Sequence, residues 1–497
     1  MRPLRLTAVA VLLLTLVGCG ADDKAATSGA EIVPASAPVF VSVDSDLSSK
    51  QWQTVDDLLR EFPARPQLLA EVRSALRDSG LDYERDVEPA LGEEIDLVWL
   101  DFASGGDNVV CLTQPKDEEA FRRLIEKGNR SDESEDDLVL GEVEGWTVIA
   151  DSQAKIDRFR RASGQADKLA DEDVFKDAMA ELPDDAVVKA YADGQSLAQL
   201  LGQALMGLLS GGTDTYDLRM PSESRPEFIA AALAAERDGL RLVGATRAET
   251  EPKAQATVYR SKLIDDVPGD AVAFLTFRGN DMYTEQARSS PNYRRSLREL
   301  QRLLGGVPLE HLFAIFDGEV AAYVRPGTPF PEVTVLVAVD SDEPTEEEAF
   351  QNVDTVMKVL TRFRVAQPCH APGVEDGVRV ACIGFDKIEV RYAGFDKKVV
   401  VTTGQSPVAE LRARGDKLPD ADSFKGAREA AGLPGETTGF LWIDVAKAVP
   451  MLLGLAQAAE EPIPPEVRAN LEPLKSLLVW GDVDGRTRSF SAFAQID

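Results

Sequence analysis

The sequence predicts an α+β protein made of two tandem repeats of one unit, each a largely antiparallel sheet packed with helices. One phrase occurs twice: KLADEDVFKDA, Lys168 to Ala178, returns as KLPDADSFKGA, Lys417 to Ala427, identical at seven of eleven positions. The signals around it keep one order in both halves. VPASAPVFVSVD (Val33 to Asp44) answers VPGDAVAFLTFR (Val267 to Arg278), Gly92-Glu93 answers Gly318-Glu319 at the head of a strand, and DEEAF (Asp117 to Phe121) answers EEEAF (Glu346 to Phe350). Apolar β-rich runs also come in adjacent pairs, EIDLVWLD with NVVCLTQ and DLVLGEV with WTVIADS. Strands joined by short turns pair antiparallel, which argues against a doubly wound parallel sheet.

The elements follow in order. In each half a Pro-containing turn enters a strand rich in Val and Phe, helical stretches and a strand pair follow, and an acidic phrase opens a helix. Next come a second strand pair and the repeated phrase. Within the phrase, Asp171 and Asp420 stand where a helix N-cap is expected, and Asp173 and Asp422 add negative charge at the positive end of the helix dipole. Phe175, Ala178 and Leu182 then share one helix face, as do Phe424, Ala427 and Ala431. Leu182-Pro183 and Leu433-Pro434 precede strands ending in aromatic, apolar, Asp: Tyr191-Ala192-Asp193 and Trp442-Ile443-Asp444. Each half closes on two runs joined by Asp-Gly, at Asp238-Gly239 and Asp484-Gly485, a strong hairpin signal. The second half carries an insertion, three strands in place of two between Gly377 and Thr403.

The chain opens with a basic head, Arg2 and Arg5, and an apolar run, Leu6 to Gly18, too short for a membrane span and flanked as a secretory signal is. Leu16, Val17, Gly18 and Cys19 resemble the bacterial lipobox, which implies diacylglyceryl transfer to the Cys19 thiol and cleavage before it. The organisation expected is therefore a signal peptide over 1–18, a small, polar, flexible stalk over 19–30, a first repeat over 31–250, a linker over 251–261 and a second repeat over 262–497. The formal charge is −31, from 54 basic and 85 acidic residues, and loss of Arg2 and Arg5 makes it more negative still. Such a surface repels phosphate backbones, so nucleic acid is not an expected partner. In an exported protein Cys369 and Cys382, flanking a Pro/Gly/Asp turn region, are expected to form a disulfide, and Cys111, inside an apolar strand, to be a buried thiol.

The lipobox, the stalk, the VPASAPVFVSVD opening, Leu91-Gly92, the Asp-x-x-Phe-Lys helix and the Leu-Pro with its aromatic strand together resemble the exported bacterial proteins of the domain-of-unknown-function 3352 family. The resemblance implies an anchored address and supplies no catalytic residue. A direct search adds none. His311 and His370 have no metal-ligand neighbour at His-Glu-x-x-His spacing, and no nucleophile elbow, Ser-x-x-Lys or phosphate-binding Gly motif occurs. Asp193 and Asp444, at equivalent strand ends, are acidic candidates whose simpler role is to cap the helix that follows. No cofactor and no metal is expected. The expectation is a non-enzymatic binding or scaffold module of the cell envelope, lipid-anchored to the extracytoplasmic side of the membrane through Cys19, its partner an envelope protein or an apolar small molecule. The alternatives are a carrier of an apolar ligand, using the leucine-rich runs SLAQLLGQALMGLL and VAKAVPMLLGLA, and an envelope hydrolase with dispersed acidic residues.

Overall fold

The computed structural model describes residues 28–102, 107–130, 137–197, 225–251, 257–279, 295, 298–299, 301–302, 318–339, 345–362, 365–369, 373–385, 388–413, 415–458 and 463–497. The apolar leader, Cys19, most of the expected stalk, the run SLAQLLGQALMGLL beyond residue 197, and both His311 and His370 lie outside them.

The first half supplies β1 (Val39–Asp44), β2 (Gly92–Trp99), β3 (Val109–Pro115), β4 (Val139–Val143), β5 (Trp146–Ala150), β6 (Val188–Asp193), β7 (Pro226–Glu236) and β8 (Gly239–Ala248). Their spatial order is β4, β5, β3, β2, β1, β6, β7, β8, antiparallel throughout. The second half supplies β9 (Ala273–Arg278), β10 (Glu319–Arg325), β11 (Glu332–Ala338), β12 (Gln367–Pro368), β13 (Gly373–Glu375), β14 (Val378–Phe385), β15 (Ile388–Phe395), β16 (Lys398–Thr402), β17 (Gly439–Asp444), β18 (Leu474–Asp484) and β19 (Thr487–Ile496). Here the order runs β19, β18, β17, β9, β10, β11, β16, β15, β14, with the short β12 and β13 on β14, again antiparallel. The expected third strand of the insertion is β14.

The halves join through their last strands, because β8 pairs with β19. Val243 and Ser491, each fifth in its strand, face each other, and the pairs on either side, Leu242 with Ala492 and Gly244 with Phe490, are symmetric about them. Left alone, β8 and β19 would each be a long open edge, a template for aggregation; paired, they make one continuous sheet. The two Asp-Gly signals are two residues out of step. The β7–β8 loop is Arg237-Asp238, between the paired Glu236 and Gly239, whereas the β18–β19 loop is Gly485-Arg486, between Asp484 and Thr487. A slip of two keeps every side chain on its own face.

Helices cover both faces of the first half. On one face Phe40, Val98, Tyr191 and Phe228 of the sheet share a core with Phe159 of α4 (Gln153–Gln165) and Phe175 of α5 (Asp173–Ala180). On the other, Ile95 and Leu97 of the sheet share a core with Trp52 of α1 (Lys50–Arg60), Leu76 of α2 (Arg65–Asp78) and Phe121 of α3 (Glu118–Asn129). Asp117 starts α3 by accepting the Ala120 N–H at 2.8 Å. In the second half α6 (Glu346–Arg362) opens with a capping box, the Glu348 carboxylate accepting from the Thr345 N–H at 2.8 Å. Phe274, Tyr323, Phe424, Trp442 and Phe493 form its core with α7 (Pro407–Arg412) and α8 (Asp422–Ala431). After β17 come α9 (Val445–Ala458) and α10 (Pro465–Leu471).

The repeated phrase ties the turn before the first strand of its half to that half's core. The Leu169 N–H donates to Val33 O at 2.8 Å, and the Leu418 N–H to Val267 O at 2.9 Å. Phe175 meets Phe40 and Tyr191 edge-on, and Phe424 meets Trp442 edge-on. The capping expectation needs correction. Asp171 and Asp420 end short 3-10 turns, Leu169–Asp171 and Leu418–Asp420, and the cap positions fall on Glu172 and Ala421, neither making a side-chain cap hydrogen bond. The tight turn takes up the residue that a direct helix start would have used as its cap.

Candidate functional site: carboxylates beneath the N-terminal turn

The first described residues, Ser28–Glu31, form a 3-10 turn with Gly29 and Ala30 buried, so residues 28–30, expected as the end of a flexible stalk, are instead docked on the body. What holds the turn is Glu94. The Ser28 N–H and Gly29 N–H donate to its carboxylate at 3.3 and 3.0 Å, the Ser28 hydroxyl donates as well, and Ser42 Oγ lies 3.4 Å from Oε2. Strand alternation explains the placement: Glu94 and Asp96 are in phase with Val98 on β2, as Ser42 is with Phe40 on β1, so all point beneath the turn. Asp96 is fully buried and sits opposite Ser42. Asp44 sits opposite Glu94, its carboxylate accepting from the Asp46 N–H at 2.9 Å and from the Ser49 hydroxyl.

Glu319 performs the same task in the second half. It accepts from Ser261 Oγ at 2.5 Å, from the Lys262 N–H at 2.9 Å and from Thr276 Oγ1 at 3.1 Å. The expected match of Gly92-Glu93 with Gly318-Glu319 is therefore corrected by one residue. Asp44 faces Glu94 as Arg278 faces Glu319, and the β2–β3 ladder shifts register between Gly92 and Ile95, which accommodates the extra residue. One row differs in chemistry. The first half has Asp96, Ser42 and Lys189 side by side on β2, β1 and β6, where the second has Ala321, Thr276 and Phe440 on β10, β9 and β17.

Burial sets the protonation of this cluster. It raises Asp44 to about 6, against the opposing hydrogen bonds from Ser49 and Asp46. It raises Glu94 too, although the donors of the turn pull the other way, and it lifts Asp96 far above the carboxylate range, with the Glu94 charge adding to the effect. A folded-state pKa above the unfolded value means that folding retains the proton. Stability is then full below the unfolded value, near 4, and falls as pH rises through the folded one. Asp44 alone contributes a loss of about 3 kcal/mol between roughly pH 4 and pH 6. Urea midpoints should fall over that window, and Asp44→Asn should flatten the slope; a wild-type midpoint rising from pH 4 to 6 contradicts the assignment.

Asp193 and Asp444 are not brought together with the cluster or with each other's chemistry. Asp193 Oδ1 accepts the Ser196 N–H at 2.8 Å and Asp444 Oδ1 accepts the Lys447 N–H at 3.0 Å, each capping the chain that leaves its strand. Cys369 and Cys382 are joined by a disulfide, Cα atoms 5.5 Å apart, and Cys111 is a free, buried thiol that burial pushes up to about 12. Among the described residues Cys369, Cys382 and Glu389 are grouped within 4.8 Å, but bonded sulfurs are not thiolates and make no metal site. Replacing both Cys369 and Cys382 with serine should cost about 3 kcal/mol through the opened loop. An unchanged urea midpoint would assign that loop's order to the sheet alone. Sequence reading missed Glu94, Asp96, Asp44 and Glu319. The usable signal was acidic residues on the inward phase of strands whose other phase is apolar.

Comparison with known proteins adds a family. Two crystal forms of TP0453, IV and III, share 12% and 14% identity with this chain; each comparison covers 46% of this chain and 81% or 80% of the other, at a TM-score of 0.23. No curated protein matches the chain. No helix among the described residues is long and apolar enough to cross a membrane. The model of one family matches residues 5–159 and again residues 142–494, nearly the whole sequence. The chain belongs to the family described as protein of unknown function (DUF3352).

Proposed function

We propose that this chain is a bacterial lipoprotein held by Cys19 to the extracytoplasmic face of a membrane, where two copies of one unit, residues 31–250 and 262–497, act as a binding or scaffold module. The observation that carries the reading is the Glu94 clamp. The chain entering the body is fastened to the sheet at Ser28 and Gly29, as the segment entering the second half is fastened at Ser261 and Lys262 by Glu319. Eight residues lie between Cys19 and Ser28, nine steps along the chain and a reach of about 30 Å. A tether this short suits a module that engages partners close to the membrane. Binding is favoured over turnover because the acidic candidates are committed elsewhere, Asp193 and Asp444 to caps and Glu94 and Glu319 to the clamps.

One observation favours the carrier reading as the second choice. Leu233, Leu242, Phe490, Leu275 and Phe277 are exposed large apolar side chains. Ladder pairs link their strands into one face: Leu242 with Ala492, Ala492 with Val479, Val479 with Leu441, and Leu441 with Leu275. Such a face suits an apolar molecule or a protein partner. Native mass spectrometry of the mature protein, with in-cell cross-linking, separates the readings. The scaffold reading expects protein adducts and no co-purifying small molecule, and the carrier reading expects an extractable lipid. Robust hydrolysis of ester, glycoside, peptide or phosphate substrates, abolished by Asp193→Asn or Asp444→Asn, contradicts both.

A further inference from the structure

Asp96 breaks the pattern that the two halves otherwise share. Its second-half counterpart, opposite the corresponding strand, is Ala321, so the clamp as such does not require an acid there. It is fully buried, and neither carboxyl oxygen is in hydrogen-bonding geometry with a donor. An ionised carboxylate in that position is poorly compensated and strongly disfavoured. Space limits the remedies. A Cβ on Gly29 would stand 1.8 Å from Asp96 Oδ2 and 3.5 Å from Trp146 Cη2, so the backbone of the turn and the indole close against the carboxyl group.

We infer that Asp96 is a neutral acid whose buried proton is taken up when the Ser28–Glu31 turn docks, making closure of the N-terminal turn proton-linked. With the turn closed the carboxyl keeps its proton. Loss of that proton to water leaves a carboxylate beside the Glu94 charge, with the Ser42 hydroxyl alone opposing, and lifting the turn relieves it by admitting water. Burial and the Glu94 charge hold the proton on this group, and the Ser42 hydroxyl opposes them. The other charged or titratable groups nearby do not neutralise it. Lys189, on the same face two strands away, donates its amine to Asp184 O at 2.7 Å. Asp44 on β1 is itself raised, the Cys111 thiol on β3 is pushed up partly by Asp96, and Glu31 on the turn is exposed. The inference concerns the turn and stands whether or not Cys19 carries lipid.

Hydrogen exchange on the whole mature protein tests it between pH 5 and 9, with rates corrected for intrinsic exchange. Peptides covering 28–35 should show an opening constant that climbs toward tenfold per pH unit while Asp96 is ionised in the open form and still protonated in the closed one. Peptides covering 261–269, above Ala321, supply the internal reference and should stay flat. Asp96→Asn and Asp96→Ala should both keep 28–35 closed and flat; the alanine variant reproduces the second half and decides the matter if the asparagine variant folds poorly. A flat wild type overturns the proposal. So does an Asp96→Asn turn that is open at acidic pH, which would mean that the carboxylate itself holds the turn. Closure of the wild-type turn by added calcium at high pH, absent in Asp96→Asn, would also overturn it in favour of a metal ion.

Discussion

Replacing Gly239 with valine is expected to destabilise the protein by about 3 kcal/mol or more and to uncouple the unfolding of its halves. Gly239 begins β8 and pairs with Gln495 across the seam. A Cβ there would stand 2.1 Å from the carbonyl oxygen of Ala494, a backbone atom of β19 that cannot move without breaking the ladder. Crowding in packed interiors costs roughly 1–3 kcal/mol when side chains can yield, and more when a backbone must. Differential scanning calorimetry should replace one cooperative transition with two. Gly454, exposed on α9 with nothing within 4 Å of a Cβ, is the control. Gly454→Ala should gain about 0.5–1 kcal/mol from helix propensity. Equal small effects at both glycines would mean that the seam does not hold the halves together.

Glu94→Ala should cost about 3–5 kcal/mol, because the Gly29 N–H and the Ser42 hydroxyl lose their acceptor inside the protein. Glu94→Gln retains a carbonyl acceptor and should cost about 1–2 kcal/mol. Glu319→Ala is expected to match Glu94→Ala, since its carboxylate serves the Lys262 N–H, Ser261 Oγ and Thr276 Oγ1. The two losses should add, as the clamps share no partner. Limited proteolysis gives the local readout, with new cleavage near residues 28–33 for Glu94→Ala and near 261–267 for Glu319→Ala.

The sequence made the local elements legible. Phe175 and Phe424 sit on capped-looking amphipathic stretches, and both prove to be buried anchors against the aromatic residues of β6 and β17. Both closing hairpins were legible too, though their Asp-Gly steps differ by two residues because each loop takes a different pair of residues from that stretch. The seam was not. Pairing of β8 with β19 joins strands far apart in the chain, and their alternation would be the same on an open edge. The clamp was hidden for another reason. Glu94 and Asp96 stand in an ordinary-looking strand, and what separates them from surface acids is the Ser28–Glu31 turn, whose docking depends on long-range contact. Asp171 was misread because cap preference is local while the 3-10 turn that it ends answers to Val33 across the fold.

The central claim, a folded body clamped at its first turn and held to a membrane by lipid on Cys19, is tested most directly at the amino end. Mass spectrometry of the N-terminal peptide from the membrane fraction, run beside fractionation of Cys19→Ala, should find a mature chain that begins at a diacylglyceryl-modified Cys19 and an alanine variant released from the pellet. An unmodified Cys19, or a Cys19→Ala protein that remains in the membrane pellet to the wild-type extent, would contradict the account.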